Sequence, residues 1–192
     1  MIISQIKRKE NIAEYLLYMW QIEDMIRANN LDIEKIDKNL ISLYQVDDAT
    51  KKEIKEWYES LIKMMELEDV REKGHLQINK NVIIRLADLH HQLLESPKFP
   101  EYGAEFYRTL PYVVELRAKA GNNKVGEIET CFNALYGVLM LKLQKHTISE
   151  DTEKAIKQIS KFLAMLSSLY KKDEEKPLFA EDEVNNDDNL PN

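Results

Sequence analysis

Apolar residues recur at three- and four-residue spacing through most of this chain, the signature of helices with one inward face. Ile12, Tyr15, Leu16, Met19, Ile22 and Ile26 make the first stripe, in a helix expected from about Ser4 to Asn29, with Asn29 and Asn30 suited to its C-terminal cap. Asp32 suits the next N-cap, and the following helix carries Ile33, Ile36, Leu40, Leu43 and Tyr44 until Asp47 and Asp48 break it. A third helix starts near Thr50, where Thr50 and Glu53 have capping-box spacing, and runs through Ile54, Trp57, Tyr58, Leu61, Met64 and Met65 to a stop at Gly74. A fourth follows Asn79 and ends at Ser96-Pro97, with Val82, Ile83, Leu86, Leu89 and Leu93 facing inward. The fifth follows Pro100 and ends at Gly121, and Pro111 predicts a kink or split near Leu110. The sixth, about Lys124 to Lys145, is apolar on most sides, the pattern of a central helix. The seventh opens at Thr147 or Ser149 and continues to about Lys172 through Ile156, Ile159, Phe162, Leu163 and Leu166.

These elements predict an all-α fold: one bundle of six to seven helices with short connections over residues 1–172. Only five Gly and five Pro interrupt the chain, and no alternating strand pattern or solenoid repeat appears. Residues 173–192 are acidic and Asn/Asp-rich with little to bury, so a disordered acidic tail is expected there.

Charge changes the picture only after it is located. The net charge is −7, but the segment from Asp173 to Asn192 holds eight acidic residues and one lysine, so the remaining 26 basic and 26 acidic residues balance. A neutral body argues against nucleic-acid binding, which needs a basic surface; the cluster Lys7-Arg8-Lys9 alone is too small. The longest apolar run, Ala134 to Leu141, falls far short of the ~20 residues of a membrane helix. No export signal is apparent, because acidic residues follow the basic cluster, so a soluble, cytoplasmic protein is expected. The single Cys131 excludes an internal disulfide and sits where a buried, inert thiol is the ordinary outcome.

Glu23 is the sharpest clue. It falls in the middle of the first apolar stripe, one turn after Met19 and one turn before Ile26. A lone buried carboxylate is costly, so Glu23 must have a buried partner or face water, a ligand or another chain. Arg27, one turn on, has favourable spacing for an ion pair, and Arg117, in line with Phe106, Leu110 and Val113, is a second candidate. A Glu–Arg bridge that fixes helix docking is the simplest outcome. His90, at the edge of the stripe formed by Leu86 and Leu94, is either a core histidine with a hydrogen-bonded partner or a general base or metal ligand. Glu23, Arg27, His90 and Arg117 are therefore the candidates for a polar inter-helix pocket.

Other constellations are weaker. Asp88, His91 and Glu95 have ligand spacing but lie opposite the apolar face. The only Glu-x-x-His, Glu72 to His75, is interrupted by Gly74, and a diiron bundle needs two such motifs. Residues Gly121 to Gly126 lack a phosphate-loop pattern. Neither a cofactor nor a metal is expected, and no catalytic residue is assigned.

The run Lys7-Arg8-Lys9-Glu10-Asn11-Ile12-Ala13-Glu14-Tyr15-Leu16-Leu17-Tyr18-Met19-Trp20-Gln21-Ile22-Glu23-Asp24 resembles an uncharacterised bacterial family, the domain of unknown function 4924, and the similarity extends to about Lys172. The resemblance implies a cytoplasmic, all-helical protein without an assigned activity, and it supplies no catalytic residues. The leading expectation is a non-enzymatic helical interaction or scaffold protein, as a homo-oligomer or with a protein partner. The alternative is a small-molecule-binding protein or enzyme using the pocket candidates above.

Overall fold

Asn11 decides how the chain begins. Its backbone is extended and its side-chain oxygen accepts from the Ala13 and Glu14 amides, so the stretch expected as one helix folds as two, α1 (Ile2–Glu10) and α2 (Ile12–Ala28). A computed structural model describes residues 2–120 and 125–179. It continues through α3 (Ile33–Asn39), a short 3-10 turn (Ile41–Leu43), α4 (Asp48–Leu67), α5 (Gln77–Glu95), α6 (Pro100–Lys119), α7 (Glu127–Leu143) and α8 (Glu150–Glu175). Among the described residues the fold is all-helical with eight α-helices, one more than the upper expectation because of the break at Asn11.

Three helix ends share one device that does not use glycine. After α4 the Asp69 amide bonds to Glu66 O and the Val70 amide to Met65 O, with Asp69 at φ +54°. Asn30–Leu31 closes α2 and Lys145–His146 closes α7 with the same pair of bonds. This is the Schellman arrangement with Asp, Asn or Lys at the left-handed position. It ends α4 at Leu67, well before the expected stop at Gly74, and seats the buried Val70 on the core. Helix starts also shift. Asp47, whose carboxylate accepts from Thr50 N at 2.7 Å, caps α4 in place of Thr50, and α5 begins at Gln77, so Asn79 lies within it.

Pro111 does not split α6, which is continuous. Pro111 and Tyr107, whose carbonyl loses its helical partner, are both exposed, so water satisfies what the proline cannot. The expected helix end at Gly121, the start at Lys124 and tail residues 180–192 lie outside the described residues. Helix α8 passes the expected boundary at Lys172, and Asp173 accepts from Leu178 N while Phe179 packs edge-on against Phe99. Residues 173–179 thus belong to the folded body rather than to a tail.

Although α7 packs against α2, α5, α6 and α8, the most deeply buried helix is α2. Nine α2 residues are buried, and the helix packs against α1, α5, α7 and α8. In α7 the buried residues run from Ile128 to Val138, and at its C-terminal end Leu141 and Leu143 are exposed at 41% and 64%. Among the described residues no helix is long and apolar enough to cross a membrane.

Candidate functional site

Glu23 has the buried partner its position demanded, but not an arginine. It is fully buried, and three donors from the start of α5 converge on it. His75 Nδ1 lies 2.5 Å from Oε2, while Leu76 N and Asn79 Nδ2 donate to Oε1 at 2.9 and 2.7 Å. The sequence dictates this arrangement locally. Leu76, the N-cap residue, has no side-chain acceptor for the free amides at the helix start, so a carboxylate from α2 supplies one. Glu68, at the end of α4, supplies another by accepting from Gln77 N at 2.6 Å.

The same carboxylate fixes a histidine. A carboxylate only accepts, so His75 carries a proton on Nδ1 and leaves Nε2 on the ring edge away from Glu23. The ring stacks on Trp20, with centroids 4.1 Å apart and planes 12° from parallel. Trp20 is held edge-on by Tyr136 and Phe132 of α7. His75 remains 27% exposed in its side chain, and with Trp20 and Asn79 it lines a pocket of about 350 Å³ between α2, α5 and α7. Two buried polar atoms at this place, Trp20 Nε1 and Asn79 Oδ1, have no hydrogen-bond partner among the described residues.

The loop that carries His75 is tied down from α2 a second time. Arg27 donates to the carbonyls of Val70 and Gly74 at 3.0 and 2.5 Å and pairs with Asp24 at 2.8 Å. Asp24 in turn accepts from the Tyr136 hydroxyl at 2.5 Å, and burial together with that carboxylate pushes the Tyr136 phenol upward. Gly74 sits at φ +87°, a backbone conformation that costs other residues more. Glu23 and Arg27 thus act on one loop without pairing with each other.

The four candidates do not converge. His90 is 2% exposed, with Nδ1 2.6 Å from the Tyr102 hydroxyl and its ring against Phe106 and Phe162. Burial, followed by the neighbouring His91, pushes its pKa down to about 4. It is a core histidine, apart from the Glu23 pocket. Arg117 pairs with Glu127 at 3.1 Å, one helix away from the expected partner. Cys131 is fully buried, which raises its thiol to about 12 and leaves it unreactive. Asp88, His91 and Glu95 are all exposed on α5, and among the described residues no three His, Cys, Asp or Glu side chains are grouped to hold a metal.

Two residues that matter were not singled out as site candidates. His75 was visible only as half of an interrupted Glu-x-x-His; the available signal was a Gly-His pair immediately before a helix start. Glu105 is buried on α6, where burial opposes but Lys161, Gln158 and Arg108 outweigh it, with Lys161 first, holding the carboxyl below its usual range. Its cationic partners are more than 60% exposed, so it reads as a helix-docking clamp between α6 and α8.

Among the described residues, fold and site define an all-helical bundle in which the buried helix α2 holds a loop histidine that lines a small pocket. The chain belongs to the family described as domain of unknown function (DUF4924), whose model matches residues 1–177. No curated protein and no solved structure matches it.

Proposed function

We propose that this chain is a small-molecule-binding protein and that the pocket between α2, α5 and α7 is its site. The observation that carries the reading is the buried Glu23 holding Nδ1 of His75, a partly exposed histidine that itself lines a 350 Å³ pocket. Carboxylate–histidine pairs of this form orient a histidine whose second nitrogen meets a ligand or a reacting proton. A purely structural cap for α5 requires only an acceptor for Leu76 N; it explains neither the Trp20 stack nor the partial exposure of His75. The chemistry available at Nε2 is hydrogen bonding and proton transfer.

Fragment titration of the ¹⁵N-labelled full chain tests this. Binding is expected to shift the His75 imidazole and Trp20 indole signals together. Ile84→Lys, on the half-exposed pocket wall, is expected to abolish those shifts while leaving the Glu23 network and the melting temperature unchanged. Fragments that bind only elsewhere, or none that bind, would overturn the reading.

An interaction protein is the second reading, supported by the exposed Leu141 and Leu143 at the end of α7. A concentration-dependent dimer abolished by Leu143→Asp would favour it, and a monomer at all concentrations would remove the homo-oligomer.

A further inference from the structure

We infer that the pocket takes a small zwitterion with an apolar side chain, the chemical class of a free hydrophobic amino acid. The inference rests on the pocket being the binding site proposed above. The exposed Lys80 of α5 and the half-buried Glu129 of α7 both line it, and neither side chain has an ion-pair or hydrogen-bond partner among the described residues, which is notable for Glu129 alone. Glu127, two residues earlier on α7, shows the contrast: it is committed to Arg117. A half-buried carboxylate without a partner is disfavoured, and a cation placed beside it relieves the cost.

The two lining charges are opposite and offset each other. A ligand bearing one charge gains from one of these groups and is opposed by the other. A ligand bearing both gains from both. The positive end of α5 offers an anion little, because the Leu76 and Gln77 amides are already taken by the carboxylates of Glu23 and Glu68 and the Asn79 amide bonds to Leu76 O. A phosphate-type ligand therefore lacks most of the helix-end amides it would otherwise use.

His75 adds the third polar contact. With Nδ1–H donated to Glu23, Nε2 of the neutral ring is an acceptor and complements an ammonium group alongside Glu129. Lys80 then serves the carboxylate. Ile83, the 52%-exposed Ile84 and Trp20 supply the apolar wall that a hydrocarbon or aromatic side chain would cover. A pocket of about 350 Å³ is at the small end of ligand sites, which span roughly 300–1,000 Å³, and suits a single amino acid better than a nucleotide.

The test uses the full chain and matched probes: L-phenylalanine and L-leucine, the amines phenethylamine and isoamylamine, and the acids 3-phenylpropionate and 4-methylpentanoate. Affinities are read from the His75 and Trp20 ¹⁵N signals. At least one amino acid is expected to bind about tenfold or more tightly than its singly charged analogues, a difference of ~1.4 kcal/mol. Lys80→Met should weaken the amino acid and the acid but spare the amine, and Glu129→Gln should weaken the amino acid and the amine but spare the acid. An amine or acid that binds as tightly as the amino acid, or amino-acid affinity unchanged in both variants, would overturn the inference and leave the pocket standing. Silence from all six probes overturns it too. The pocket itself then stands or falls by the fragment titration.

Discussion

Glu23→Ala is expected to destabilise the protein by roughly 3–5 kcal/mol, the range for breaking a buried charged network. The carboxylate is fully buried, and its removal strands the Leu76 amide, Asn79 Nδ2 and His75 Nδ1 together. Each stranded buried donor costs about 1–3 kcal/mol. Asn79 has no second hold, because its Oδ1 already lacks a partner. Glu105→Ala provides the comparison. Glu105 is also buried, but Lys161 and Arg108 remain in water when it goes, so a smaller loss of about 1–2 kcal/mol is expected. Urea denaturation of both variants measures the difference. A Glu23→Ala change within about 0.5 kcal/mol, the scale of an ordinary surface substitution, would show that the network does not hold α5 to α2.

The second large effect is a pH dependence centred on His90. Its pKa lies at about 4 in the folded protein against 6.5 for the unperturbed side chain, because its aromatic surroundings exclude the water that the imidazolium needs. Above pH 6.5 both folded and unfolded chains hold it neutral, and its contribution to stability is complete. As the pH falls from 6.5 to about 4 the unfolded chain takes up the proton and the folded chain does not, so stability declines. Below that both forms are protonated and this group adds no further loss. The full decline amounts to about 3 kcal/mol at 1.36 kcal/mol per unit. Glu105, held low by its partners, contributes in the opposite half of the acid range: its stabilisation is present above the carboxylate's unfolded value and is lost only on further acidification. Urea midpoints at pH 7, 5.5 and 4.5 test this, with His90→Gln as control. The wild type should lose stability across the window, and the variant should lose less. Parallel curves would contradict the assignment.

Helical periodicity carried most of the fold, since α2 and α4 to α8 each present a stripe that one core can bury. The ends at Asn29–Asn30 and near Lys145 were legible, but the end of α4 was not, because its stop is Asp69 rather than Gly74. A left-handed Asp69 or Lys145 is expensive locally, and the closing bonds and the burial of Val70 outweigh that expense only in the folded chain. The break at Asn11 was hidden because periodicity continues across it, while one side-chain oxygen satisfies two amides. Glu23 was legible as an anomaly, and the need for a buried partner followed from its burial cost. The identity of that partner did not. Arg27 is one turn away, yet it is drawn to loop carbonyls 43 and 47 residues further along the chain, and His75, 52 residues from Glu23, arrives only when α5 docks. His90 and Arg117 shared a pocket hypothesis with Glu23 because apolar stripes reveal depth, not which neighbour is met at that depth.

The central claim is that Glu23 fixes the proton of His75 on Nδ1 and turns Nε2 toward a ligand. Long-range ¹H–¹⁵N NMR of the imidazole rings, recorded where His75 is neutral, measures this directly. The predicted result is the Nδ1–H form for His75 in the wild type, lost in Glu23→Ala. A neutral His75 carrying its proton on Nε2 would contradict it, because Nδ1 would then have no hydrogen to give the buried carboxylate.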